Sequence, residues 1–252
     1  MTSSFIETLE FDLPKALLFS LVEKFDSMPS APLIDANIAE TPEAQGVYQL
    51  FYDGNLEYIG KTDSQAGLFA RLKRHGKNIL GRANLDASLV TFKAIRVYVF
   101  SAMDLETELI HHYKNEGSHP MSWQNSGFGS NDPGRNRDGS SVKMQHFDYR
   151  FPVDRFTRIN FSTVASDVCV SDLFKHLKST LPFLFRYESR DDVAKEELES
   201  CFLPTGLTLT TLDQALDVSK QALGDEWQIT VLYGYVIAYR ESRQYSHYQH
   251  VY

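Results

Sequence analysis

The stretch Gly46-Val47-Tyr48-Gln49-Leu50-Phe51-Tyr52-Asp53-Gly54-Asn55-Leu56-Glu57-Tyr58-Ile59-Gly60 constrains the fold more than any other part of the chain. Two runs rich in β-branched and aromatic residues flank Asp53-Gly54-Asn55, a turn signal at hairpin spacing. The first run alternates, with Val47, Gln49 and Phe51 against Tyr48, Leu50 and Tyr52, which predicts a half-buried strand. A hairpin by itself carries no function. The informative features are the two tyrosines, one in each arm, and the order of Arg, His, Glu and Asn that follows them.

At 252 residues the chain has room for one large domain, or for a catalytic domain and a smaller one. No window of about 18 unbroken apolar residues occurs, so no membrane span is expected. Glu7, Glu10 and Asp12 interrupt any leader-like apolar core at the start. Cys169 and Cys201 lack metal-ligand spacing, which fits a reduced, cytoplasmic setting. The net charge of −8 argues against loose, charge-driven attraction to nucleic acid. Its distribution is uneven. Lys61 to Lys114 holds nine Lys or Arg against five acids, and Arg135 to Arg158 six against three, which predicts a local basic face on an acidic protein.

Residues 13–27 read as an amphipathic helix with Pro14 in its first turn. Residues 28–45, with Pro29, Pro32 and Pro42, read as an extended connection. Leu68, Leu72, His75 and Ile79 recur at helical spacing within 64–79, and residues 91–100 predict a strand. Asp104 is placed to cap a helix running to about Asn115. Residues 116–141 form a long polar loop, of the kind that is functional or disordered. Beyond residue 161, helices are expected over 173–181, 193–202 and 212–223, and strands over 227–232 and 235–239 around Gly234. The partition expected is an N-terminal helical arm and linker (1–45), a central domain (46–160) and a small C-terminal α/β domain (161–252).

Taken in order, Tyr48, Tyr58, Arg71, His75, Glu106 and Asn125 are polar residues set among apolar neighbours. With Gly46-Val47-Tyr48 and Tyr58-Ile59-Gly60 as its two half-motifs, residues 46–135 resemble the GIY-YIG nuclease superfamily. Arg71 lies in Leu68-Phe69-Ala70-Arg71-Leu72-Lys73-Arg74-His75, and Glu106 in Leu105-Glu106-Thr107-Glu108-Leu109. The Arg71/His75 pair and Gly127-Phe128-Gly129-Ser130-Asn131-Asp132-Pro133-Gly134 look most like the type II restriction endonuclease branch. The segment between Glu106 and Asn125 is longer than the family pattern through Gly117-Ser118-His119-Pro120-Met121-Ser122. Asn131 therefore stands as the alternative to Asn125, and Glu108 as the alternative to Glu106.

The resemblance implies an α/β (α+β) fold with a small mixed sheet flanked by helices, and Mg²⁺-dependent hydrolysis of double-stranded DNA, with Mn²⁺ able to substitute. Glu106 would hold the metal, Arg71 would bind the scissile phosphate, and Tyr48 would act as general base or orient the water. Tyr58 would donate to the phosphate, His75 would share a proton and Asn125 would fix the geometry. A phenolic base requires a pKa lowered from about 10. Lys61, Arg74, Lys77, Arg135 and Arg137 are the candidate DNA contacts. A homodimer matches a palindrome, and a cognate DNA methyltransferase would be its partner in a restriction system. The alternatives are a phage-defence, repair or mobile-element nuclease controlled by its C-terminal domain, or a non-cleaving DNA- or protein-binding module.

Each residue also has an ordinary structural reading. The tyrosines are strand residues with wet hydroxyls, Arg71 a solvated charge, Glu106 a helix-dipole partner and Asn125 a turn residue. His111, His112 and His119 near Glu108 suggest zinc only weakly, because adjacent helical residues diverge.

Overall fold

The computed structural model describes residues 5–6, 8, 10, 12–62, 67–98, 104–115, 117, 119–163 and 168–252. Its fold is α+β. Contacts divide the chain into two compact units, Met1–Lys73 with Ser88–Gln124 and Arg74–Ala87 with Asn125–Tyr252. These bounds differ from the partition at 45 and 160. The N-terminal arm belongs to the first unit because Leu21 and Phe25 pack into its core, and residues 125–160 join the second, whose core includes Val153.

The first unit opens with helix α1 (Leu13–Ser27), capped by Asp12 Oδ1 accepting from Lys15 N at 3.0 Å. The proline-rich connection contains a two-residue strand, β1 (Ala31–Pro32), and one helical turn, α2 (Asp35–Ile38). Strands β2 (Gly46–Tyr52) and β3 (Asn55–Thr62) form the expected hairpin. Asp53 and Gly54 both take positive φ, 49° and 77°, as a two-residue hairpin loop demands. Helix α3 (Gly67–Asn78), strand β4 (Val90–Arg96) and helix α4 (Leu105–Asn115) follow. The expected helix start at 64–66 and strand end at 99–100 lie outside the described residues, as do Glu116 and Ser118 of the loop.

The sheet has the order β1-β4-β2-β3 and every pairing in it is antiparallel, rather than mixed as expected. Strand β2 is not half-buried. It pairs on both edges, and its first five residues are all buried. Val47, Leu56 and Ile59 share a core with Leu21, Phe25, Leu109 and Tyr113 of α1 and α4. A β-bulge at Glu57 makes this possible, since Leu50 pairs with Tyr58 but Phe51 with Leu56. The extra residue brings positions 56 and 59 to one face, where strict alternation would separate them.

The second unit contains α5 (Phe147–Arg150), β5 (Arg158–Ser162), α6 (Val170–Thr180), β6 (Phe185–Tyr187) and α7 (Asp192–Ser200). It continues through β7 (Thr208–Thr211), α8 (Leu212–Leu223), β8 (Gln228–Val231), β9 (Val236–Tyr239) and β10 (His250–Val251). The three expected helices and the β8–β9 pair are present. Strand β6 joins β9 in parallel, and β10 pairs with β8, giving a mixed sheet of order β10-β8-β9-β6. Strands β5 and β7 form a separate pair. The core gathers Leu173, Phe174 and Leu177 of α6 with Leu212 and Leu216 of α8 and Ile229 of β8. Cys169 is buried and Cys201 packs against this core; both are free thiols. Among the described residues no helix is long and apolar enough to cross a membrane.

Candidate active site

The glycines of the hairpin explain its tyrosines. A β-carbon at position 60 would lie 2.3 Å from Tyr48 Oη and 2.4 Å from Cζ, so the phenol ring lies directly over Gly60. A β-carbon at position 46 would lie 2.3 Å from the Ile95 carbonyl oxygen and 2.8 Å from Leu68 Cδ1. Gly46 thus lets β2 approach β4 and α3, and Gly60 makes the slot that Tyr48 fills. Tyr58 stands beside Tyr48, ring centroids 6.1 Å apart.

Tyr48 is fully buried, and its hydroxyl is hydrogen-bonded to Arg71 of α3. Burial pushes its pKa well above the ordinary 10, Tyr58 and Glu106 add to the rise, and the Arg71 bond and charge oppose it. Burial thus favours the neutral phenol at this position. Arg71 is half-buried. Burial works against its charge, but Tyr48, Tyr58 and Glu106 together hold its pKa above the ordinary value.

Glu106 sits in the first turn of α4, where the helix dipole favours a carboxylate. Burial raises its pKa from 4.5 and Asp104 adds to this, while Lys61 and Arg71 pull it down. Glu108, two residues on, is exposed. Asp104 caps α4 by accepting from Thr107 Oγ1 at 2.8 Å and pairs with Lys61 Nζ at 2.8 Å. Its own pKa is lowered, first by the Lys61 bond and then by Thr107. Tyr48, Tyr58, Lys61, Arg71, Asp104 and Glu106 therefore form one group within electrostatic reach of each other. Asp104, expected from its position only to cap α4, also belongs to this group.

A second unforeseen residue is Glu57, the bulge residue next to Tyr58. Its buried carboxylate accepts from both N and Oγ of Ser122, each at 2.6 Å. Met121 N and Trp123 N donate to the carbonyls of Leu56 and Glu57, and Ile59 N donates to Gln124 Oε1. Residues 121–124 thus cover the free edge of β3. A sheet edge needs such cover.

His75, one turn after Arg71 in α3, is fully buried, stacked on Phe128 with ring centroids 4.8 Å apart and overlain by Gly129. Asn125 is an exposed turn residue with φ +58°, and Asn131 is exposed. Arg74 donates to the Gly129 carbonyl, and Arg135 pairs with Glu188 and Glu241. Lys77 and Arg137 are exposed.

No family model matches the chain, and no curated protein is significantly similar to it. The function therefore rests on the chemistry of the site.

Among the described residues no group of three or more His, Cys, Asp or Glu side chains could hold a metal. Mg²⁺ takes one or two carboxylates and keeps water and phosphate oxygens for the rest. The half-buried Glu106 carboxylate, with Asp104 adding negative charge nearby, has the donor chemistry for it.

Proposed function

We propose that the chain is a Mg²⁺-dependent endonuclease of the GIY-YIG type that hydrolyses phosphodiester bonds of double-stranded DNA. Its first assignment is a sequence-specific type II restriction endonuclease acting as a homodimer in the cytoplasm, because one site cuts one strand and a two-fold protein matches a palindrome. The observation that supports this reading is the group of Tyr48, Tyr58, Arg71 and Glu106, built on a hairpin whose two glycines make room for it.

Arg71 would bind the scissile phosphate, its forked donors matching two oxygens and opposing the charge that grows in the transition state. Tyr48, buried and neutral, would hold the Arg71 guanidinium by accepting its hydrogen bond, a positioning role in place of a base. Tyr58, half-buried, would donate to a phosphate oxygen. Glu106 would hold Mg²⁺, which when bound supplies a Lewis acid at the phosphate and lowers the pKa of water. Lys61, released from Asp104, would meet the backbone of the strand.

The test is cleavage of mixed phage and plasmid DNA in Mg²⁺ by wild type, Arg71→Ala and Glu106→Ala. Discrete fragments from wild type alone are the expected result, and their mapped ends give site and stagger. A smear would replace the restriction assignment with a nonspecific nuclease. Cutting that survives Glu106→Ala would remove the metal assignment.

A further inference from the structure

The second unit contains a buried carboxylate in the middle of a polar, glycine-rich loop. Asp138 is 3% exposed. It accepts from Arg186 Nη1 at 3.0 and 2.8 Å, from the Tyr235 hydroxyl at 2.7 Å and from the Tyr239 hydroxyl at 3.2 Å. Burying an ion pair seldom adds net stability, and its best-attested use is to fix one geometry. Arg186 Nη2 also reaches Asp132 Oδ1 at 3.0 Å, and the same oxygen accepts from Gly134 N at 2.8 Å. One guanidinium on β6 therefore grips the loop at two points six residues apart in sequence. Tyr239 of β9 and Tyr235 just before it close the grip from the neighbouring strand.

Between those points lie Gly134, at φ +77°, and a single 3₁₀ turn over Arg135–Arg137. The two arginines differ. Arg135 is committed to Glu188 and Glu241, with its guanidinium 4.1 Å above the Tyr239 ring. The Arg137 guanidinium is exposed and has no hydrogen-bond or ion-pair partner among the described residues. The turn is thus anchored on both sides, with one cation committed to the anchor and the other open to solvent.

We propose that the Asp138–Arg186 pair, clamped by Tyr235 and Tyr239, is a positioning device that holds the 132–138 turn so that Arg137 meets a phosphate of duplex DNA. This rests on the nuclease reading and gives the C-terminal sheet a role, that of platform for the loop.

The test is binding of a short DNA duplex across a salt series, with Ca²⁺ in place of Mg²⁺, alongside hydrogen exchange of the loop amides. One phosphate contact contributes about 0.9 to the slope of log K against log salt. Arg137→Gln is expected to lower the slope by about that amount and leave loop exchange unchanged. Arg186→Lys and Tyr239→Phe are expected to lower the slope similarly, to speed exchange over 132–138, and to add little when combined with Arg137→Gln. Tyr239→Phe removes a single hydroxyl and keeps the test open if Arg186→Lys does not fold. Wild-type binding with an unchanged Arg137→Gln slope overturns the proposal alone, as do Arg186→Lys and Tyr239→Phe slopes equal to wild type. No wild-type binding at any salt overturns the nuclease reading and this proposal together.

Discussion

Replacing Gly60 by alanine tests the geometry at the centre of the site without depending on activity. The new methyl would sit 2.3 Å from Tyr48 Oη, 2.4 Å from Cζ and 2.9 Å from Cε1. Carbon atoms in contact prefer about 3.5–4.0 Å, so the ring must move by more than about 1 Å. Tyr48 is fully buried, and forced repacking of that kind costs about 1–3 kcal/mol. Gly60 is not among the positive-φ glycines, so alanine meets no backbone strain there. It would instead recover about 0.4–1 kcal/mol of unfolded-state entropy. The net expectation is a loss of roughly 1–2 kcal/mol, all of it due to the phenol. In a Tyr48→Leu background the three clashing atoms are gone, and Gly60→Ala should become neutral or stabilising. Urea unfolding of the four proteins measures the coupling. All would carry Trp227→Phe, so that Trp123, the remaining tryptophan, reports on the first unit. A Gly60→Ala cost that is the same in both backgrounds would falsify the steric account of the second half-motif.

Two further outcomes follow from side chains around the site. Glu57→Ala removes the acceptor for Ser122 N and Oγ, and losing part-buried hydrogen bonds to a charged group costs about 1.5–3 kcal/mol. Midpoint denaturation should fall accordingly and the Ser122 amide should exchange faster, whereas unchanged Ser122 exchange would mean the bulge carboxylate does not hold the edge cover. Glu106 has its folded-state pKa raised above 4.5 by burial, so the native state binds its proton more tightly than the unfolded state. Its contribution to stability is present below pH 4.5 and is lost as pH rises through the folded value. Glu106→Gln should therefore melt higher than wild type at pH 7, with the gap closing below pH 4, and a melting curve no higher at pH 7 would contradict the burial argument.

What the sequence made legible was local. The hairpin was readable because Asp53-Gly54 encodes its own backbone conformation, and α3, α4, α6 and α8 because their apolar periodicity or caps lie within one or two turns. β1 and β10, at two residues each, have no period to read. Strand β2 alternates in sequence yet is covered on both faces, since Gln49 and Tyr48 are polar residues placed inside. Asp138 and Arg186 lie 48 residues apart, and each alone reads as a solvated charge.

The same limit holds at Tyr48 and His75. Residue type and order suggest a proton donor or acceptor, but they do not show how deeply each side chain is buried. Burial pushes the Tyr48 phenol to remain neutral against the pull of Arg71 on its hydroxyl, and the His75 imidazole, stacked on Phe128, has no exposed surface at all. Tyr58, Arg71 and Glu106 are instead half-buried. Their support comes from residues that no motif marks. Asp104 holds Lys61 at the start of the Glu106 helix, and Glu57 locks the strand edge beside Tyr58. If the site cuts DNA, its precision depends on these two carboxylates as much as on the named tyrosines, because a phosphate-binding guanidinium displaced by about 1 Å can lose on the order of a hundredfold in rate.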